Sequence, residues 1–459
     1  MSDIQTYLDA HFAEALDDLK AFCRIPSVST DPAFADGIAD AADFVAERLK
    51  RAGFSAVELL VTGGHPAVFG EIVTDAALPT FLVYGHYDVQ PSDPLEKWKT
   101  PPFEPDERDG RLYARGVSDD KGPLLIPILV AEAFMKTAGQ LPVNLKVLIE
   151  GEEESGSPHF EATLQTYADR LACDLVISAD GAMWRPDRPS ITVASRGLVA
   201  LEITIEGASK DLHSGRHGGS APNPIGALAS LLASLHGGDG RVSVDGFLDG
   251  TSPPDPTIIA AIEAADFDAD AYYREIGSSK PDPIKSGREL LIRQWLEPTL
   301  EFNGISGGYQ GKGTKTVIPS SASAKITCRL IAGQRPEHLI AVITRHLKAR
   351  LPPGFTLDIH QHGPGSEAFF VDPKLPALEV AEAVLTELLG QKPLRVAMGA
   401  TIPIGASFRK HLGKEAIFFS FSTSDEDYHA PNEFFRLANF RIGLTAWAML
   451  LTRLGAAGA

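Results

Sequence analysis

Between residues 81 and 151 an apolar strand, a long apolar helix and a second apolar strand follow one another, and this order constrains the fold more than anything else in the chain. FLVYG at 81 to 85 and VNLKVLIEG at 143 to 151 read as strands, and GPLLIPILVAEAFMKTAG reads as a helix beginning near Gly122. A strand, a covering helix and another strand indicate a mostly parallel sheet in an α/β unit. Ahead of it, apolar residues at helical spacing predict a helix over 4 to 22, ending before RIPSVS, where Pro26 lacks an amide hydrogen.

At 459 residues the chain is too long for one ordinary hydrophobic core. From about residue 193 its character changes. VALEITIEGA, a helix over about 224 to 235, SASAKITCRLIA, a helix over about 336 to 348 and FTLDIHQHG predict a small two-layer α+β unit. The stretch from 236 to 320, rich in glycine and proline, reads as irregular. The helical pattern resumes at LPALEVAEAVLTELLG, AIFFSF at 416 to 421 reads as a buried strand, and a last helix is expected from near Phe434. The expected division is therefore a catalytic domain over 1–192 and 367–459, interrupted by an inserted lid or dimerisation domain over 193–366.

Charge narrows the function. With 42 Lys plus Arg against 60 Asp plus Glu, the formal net charge is -18, which disfavours a nucleic-acid partner. Cys23, Cys173 and Cys328 are widely spaced and odd in number, so they read as buried thiols rather than a disulfide framework or a cysteine metal cluster. No segment offers about 20 uninterrupted apolar residues for a membrane span. The first residues lack the basic end and apolar core of a secretory signal, so a cytoplasmic location is expected.

Acids and imidazoles collect just beyond the apolar strands. His86 and Asp88 in VYGHYDVQP lie two apart on extended backbone and share a face, which fits metal binding or an ordinary turn. Asp119 and Asp120 in ARGVSDDKGP precede a helix; they either cap it or supply a carboxylate that bridges two cations. Glu150, Glu152, Glu153 and Glu154 in IEGEEESGS form a solvated loop, or else a cation offsets their repulsion while one acid stays free to take a proton from water. Asp180 in LVISADG and His429 in EDYHAPNE each read as structural when taken alone. Together the five places point to a metal site, and carboxylates with imidazoles suit zinc, manganese or cobalt.

The combination GHYDVQP, ARGVSDDKGP, EGEEESGS, DLHSGRHGG, GTKTVIP and DYHAPNE resembles the M20 metallopeptidases, nearest to their cytosolic nonspecific dipeptidase and carnosinase branch. The resemblance runs from RIPSVS to the C-terminal helix. It implies two divalent ions per chain, zinc or manganese, with cobalt a further option. His86 and Asp180 would hold one ion, Glu154 and His429 the other, and Asp119 would bridge them. Glu153 would be the general base, and Asp88 would orient His86. The resemblance further implies a cis peptide between Asp119 and Asp120, and a homodimer in which His213 of DLHSGRHGG stabilises the oxyanion in the partner's site.

Arg329, Thr316 and His362 match positions that grip the substrate's C-terminal carboxylate or line its pocket, although GPGSEAF after His362 departs from the family's run. In MGATIP at 398 to 403, Thr401 keeps a hydroxyl while Ala397 and Met398 lack the charges of the dipeptidase phrase. The expected activity is hydrolysis of dipeptides or short peptides. The alternatives are an N-acyl amino acid or other small-amide hydrolase of the same class, and a non-catalytic metal-dependent binding protein. Demand for a free amino group separates the first two, and turnover separates both from the third.

Overall fold

The computed structural model describes residues 1–281 and 284–457. Asp282 and Pro283, within the stretch read as irregular, and Gly458 and Ala459, at the end of the last expected segment, lie outside the described residues. The chain forms two compact units: Met1–Val193 with Val371–Val396 and Ser407–Ala459, and Ala194–Phe370 with Ala397–Ala406. The MGATIP segment, expected with the last part of the catalytic domain, thus falls within the second unit. Arg196 Nε donates to the Gly399 carbonyl at 2.6 Å, Arg196 N–H to the Ala400 carbonyl at 3.1 Å, and Ile402 N–H to Ser195 Oγ at 3.3 Å.

The first unit is built on a six-stranded sheet in the order Ser55–Leu60, Ala67–Ile72, Asn144–Glu150, Thr80–His86, Leu175–Ser178, Ala416–Phe418. The last four strands run parallel, the first two pair antiparallel with each other, and Ala67–Ile72 also pairs antiparallel with Asn144–Glu150. Phe81 to His86 are all buried, as expected of a strand covered on both faces, which is why FLVYG shows no polar alternation. The crossover helix Gly122–Ala138 is buried continuously from Gly122 to Ala131, and Gly139 ends it in a left-handed conformation with φ 74°. The C-terminal helix Leu437–Ala457 packs against it.

The first and last expected helices of this unit also differ from expectation. The N-terminal segment is two helices, Ser2–Ala10 and Phe12–Cys23, because His11 leaves helical geometry and donates from its ring Nδ1 to the Tyr7 carbonyl at 2.8 Å. The last helix begins at Leu437 rather than near Phe434, because Phe434–Arg436 is spent as a strand against Arg111–Tyr113.

The second unit is a four-stranded antiparallel sheet in the order Thr299–Gly307, Ser321–Leu330, Gly197–Glu206, Thr356–Ser366. Strict alternation in Gly197–Glu206 sends Val199, Leu201, Ile203 and Ile205 to one face. There they share a core with Leu228, Leu231 and Leu232 of helix Pro224–Ala233 and Leu339, Ile343 and Leu347 of helix Pro336–Arg350. The stretch read as irregular contains helices Pro256–Ala264, Ala269–Glu275 and Gly287–Trp295 and the edge strand Thr299–Gly307. Asp255, Asp268 and Ser286 cap those helices through their side chains.

Candidate metal centre and active site

The site grows from the C-terminal end of the parallel strands, where open α/β sheets place their ligands. Strand Thr80–His86 delivers His86, whose side chain is fully buried. Gly85 is required beside it, because a Cβ there would come within 2.6 Å of Asp120 Oδ2. The His86 ring is fixed by the next turn: Nδ1 donates to the Asp88 main-chain carbonyl at 3.0 Å, closer than the Asp88 carboxylate at 3.4 Å. That carboxylate has a second task. Its two oxygens accept from the backbone N–H groups of Glu153 at 3.2 Å and Glu154 at 3.0 Å, tying the end of one strand to the turn after another.

Asp119 sits in the turn that enters the crossover helix, and its peptide bond to Asp120 is cis. Its two oxygens face different histidines: Oδ1 lies 3.1 Å from His86 Nε2, and Oδ2 lies 3.0 Å from His429 Nε2. Glu433 holds this turn. Its buried carboxylate accepts from Gly116 N–H at 2.8 Å, Ser118 N–H at 2.9 Å and Asp119 N–H at 3.2 Å while pairing with buried Arg115 at 2.7 Å. The 429 to 433 segment therefore presents one imidazole and also fixes the backbone of the aspartate it faces.

Two three-residue groups result, His86–Asp119–Asp180 and Asp119–Glu154–His429, each with ligand atoms within 4.8 Å of one another and with Asp119 in both. Glu154 Oε2 is 3.1 Å from His429 Nε2 and accepts from Gln90 Nε2 at 2.7 Å. Burial, together with neighbouring carboxylates, pushes Asp180 up to about 6, Glu154 up to about 7 and Glu153 well above the usual carboxylate range. Against the cost of burial, hydrogen bonds from His429 and His86 hold Asp119 well below that range, and Asp119 and Glu154 in turn raise His429 to about 10. Among the described residues, Asp119 and Glu154 have only these histidines as ion-pair partners, and Asp180 and Glu153 have none. Negative charge that no lysine or arginine pairs with among the described residues, in a donor set of carboxylate and imidazole, fits divalent cations.

The remaining candidates belong to the second unit. His213 lies on the short strand Leu212–His213, opposite Val317, and its Nδ1 accepts from Gly215 N–H at 3.0 Å. Thr316 is beside it, its carbonyl accepting from Ser214 N–H at 3.0 Å. Arg329 Nη1 donates to Thr401 Oγ1 at 2.6 Å. His362 lies opposite Ala200 on the sheet and is paired with Glu202 at 3.2 Å. Sequence reasoning missed Gln90, Glu433 and the two-carbonyl contacts of Arg196. Gln90 stands inside GHYDVQP and could have been suspected, whereas the other two reveal themselves only through contacts distant in sequence.

A parallel sheet carrying two carboxylate and imidazole groups that share one aspartate is the layout of a metal-dependent hydrolase. The chain belongs to the peptidase family M20/M25/M40, which it matches over residues 82–453. It is 30% identical over 450 residues to the Cys-Gly metallodipeptidase DUG1 of Saccharomyces cerevisiae, covering 93% of this chain and 92% of that protein. It is also 30% identical over 465 residues to the human Beta-Ala-His dipeptidase, covering 96% and 90%. Among solved structures, the M20 family metallo-carboxypeptidase Sso-CP2 from Sulfolobus solfataricus superposes with a TM-score of 0.87 at 30% identity, covering 96% of this chain and 99% of that one.

Proposed function

We propose that this chain is a dipeptidase dependent on two divalent ions, one held by His86, Asp119 and Asp180 and the other by Asp119, Glu154 and His429. The observation that carries the reading is the shared Asp119, with each oxygen turned toward a different group, beside an acid, Glu153, that has no ion-pair partner among the described residues. When bound, the ions supply a Lewis acid for the scissile carbonyl and lower the pKa of water. Glu153 takes the proton from the attacking water and passes it to the leaving nitrogen. Asp88 keeps Glu153 in place through the backbone bonds to residues 153 and 154. Because Nδ1 of His213 accepts a hydrogen bond, its proton resides on Nε2, the form suited to donate to an oxyanion. Arg329, with Thr401, takes the substrate's C-terminal carboxylate, and Thr316 and His362 line that end.

The working form is a homodimer. Ile305, 63% exposed on the edge strand of the second unit, lines one groove with Ile225, Leu228 and Leu232, an apolar surface suited to a second copy. No helix among the described residues is long and apolar enough to cross a membrane. The three buried free thiols suit a reducing, cytoplasmic setting.

The deciding experiment strips the protein with a chelator, reloads it with zinc, manganese or cobalt, and measures turnover of dipeptides, tripeptides and N-acyl amino acids. Dipeptide hydrolysis should vanish with the metal and return with it. Preference for N-acyl amino acids would move the activity to small-amide hydrolysis, and full turnover by verified metal-free protein would end the metal-dependent reading.

A further inference from the structure

Arg329 has a cationic neighbour that the carboxylate grip alone does not require. Arg196 lies just before Gly197–Glu206, one of the two inner strands of the second unit's sheet, and its guanidinium is pinned by two carbonyls, Gly399 at 2.6 Å and Glu297 at 3.2 Å. Two residues beyond Gly399, Thr401 holds Arg329, so one short segment brings both arginines to the same place. Gly399 is needed for that approach, since a Cβ would stand 3.0 Å from the Gln294 carbonyl and 3.2 Å from Arg196 Nη2. The two charges feel each other: burial, with Arg329 adding to it, presses Arg196 down to about 10, still charged at neutral pH. Glu301 opposes that push through its field. Among the described residues neither arginine forms an ion pair, and neighbouring Ala397 and Met398 carry no charge.

A pair of partly buried cations is unfavourable until anions meet it. Both arginines retain N–H groups beyond those that bond Thr401, Gly399 and Glu297. One carboxylate would neutralise only half of this charge. We propose that Arg196 and Arg329 together form a dicationic subsite that selects dipeptides whose C-terminal residue is itself acidic, aspartate or glutamate, so that the main-chain and side-chain carboxylates are both met. The inference rests on the dipeptidase reading. Arg196 is then a specificity-determining residue as well as the clamp on the 399 to 401 segment.

The test compares Ala-Glu with the isosteric Ala-Gln on the metal-loaded enzyme, in wild type, Arg196→Met and Arg196→Lys. Wild type should favour Ala-Glu by about tenfold or more in kcat/KM, the size expected of a hydrogen-bonded charge contact. Arg196→Met should bring the ratio close to one, and Arg196→Lys should retain part of it. A wild-type ratio of one or less overturns the inference without any variant. Equal losses on both substrates in Arg196→Met also overturn it, leaving the arginine as a clamp on the loop. Should no dipeptide be turned over, the dipeptidase reading falls by itself. Calorimetric binding of the same two peptides to metal-loaded Glu153→Gln then decides the subsite: preference for Ala-Glu upholds it, and equal binding removes it.

Discussion

Glu153 and Glu154 are adjacent in sequence and anchored by one carboxylate, Asp88, yet the proposed chemistry gives them different work. Glu153→Gln should keep both ions and lose about 100 to 10,000-fold in turnover, because the amide preserves shape and removes basicity. Glu154→Gln should instead lower metal occupancy, read by metal analysis after dialysis. Normal turnover by a fully loaded Glu153→Gln enzyme would remove it as the base. A third acid of the same motif offers a pH test. Burial pushes Glu150 up to about 8 from 4.5, with its Oε1 accepting from Tyr84 Oη at 2.5 Å and Ser157 Oγ at 3.1 Å. Its folded pKa is raised, so its contribution to stability is fully present below the unfolded value of 4.5 and is lost as pH rises through about 8. Glu150→Gln cannot ionise. In metal-stripped protein, the Tm difference between this variant and wild type should therefore climb in the variant's favour across that window and level off above it; a flat difference would contradict the buried neutral carboxyl.

Among the elements, the turn before the crossover helix depends on a residue more than three hundred positions later. Glu433→Ala leaves Gly116, Ser118 and Asp119 N–H without their acceptor and buries Arg115 unpaired, which should cost about 3 to 5 kcal/mol in chemical denaturation and weaken metal binding with it. Unchanged stability would show that another group takes over. Such a contact also marks the limit of reading from sequence. The parallel strands and the crossover helix were legible because their apolar runs are long and lie between motifs. The ligand candidates were legible because metal chemistry draws on few residue types and concentrates them at strand ends. Glu433 and Arg196 act on distant backbone atoms, which leaves no periodicity to notice. The three helices between 256 and 295 were missed because they are short and lie in a stretch rich in glycine and proline; Ala269, Tyr273, Ile284 and Leu290 form only a small core there.

For the molecule as a whole, the proposed donation of His213 across a dimer makes a prediction that no single chain can satisfy. His213→Ala should retain metal and fold but lose roughly a hundredfold or more in turnover, since a missing oxyanion donor costs about 2.7 to 4 kcal/mol. Mixed with Glu153→Gln chains, it should regain up to one working site per heterodimer, in proportion to the heterodimer fraction measured by mass. Confirmed, folded heterodimers without recovered activity would place the histidine's action within its own chain. The first unit has a further consequence through its order of assembly. Asp119 faces His86 on one side and His429 on the other, and Glu433 steadies the turn between them. A chain still emerging from the ribosome has neither the second imidazole nor the brace for the shared aspartate until residues 429 and 433 have been made. On the proposed chemistry, a copy that stops short of residue 429 should therefore bind fewer ions and turn over no dipeptide, which metal analysis and a turnover assay on a chain truncated there would check.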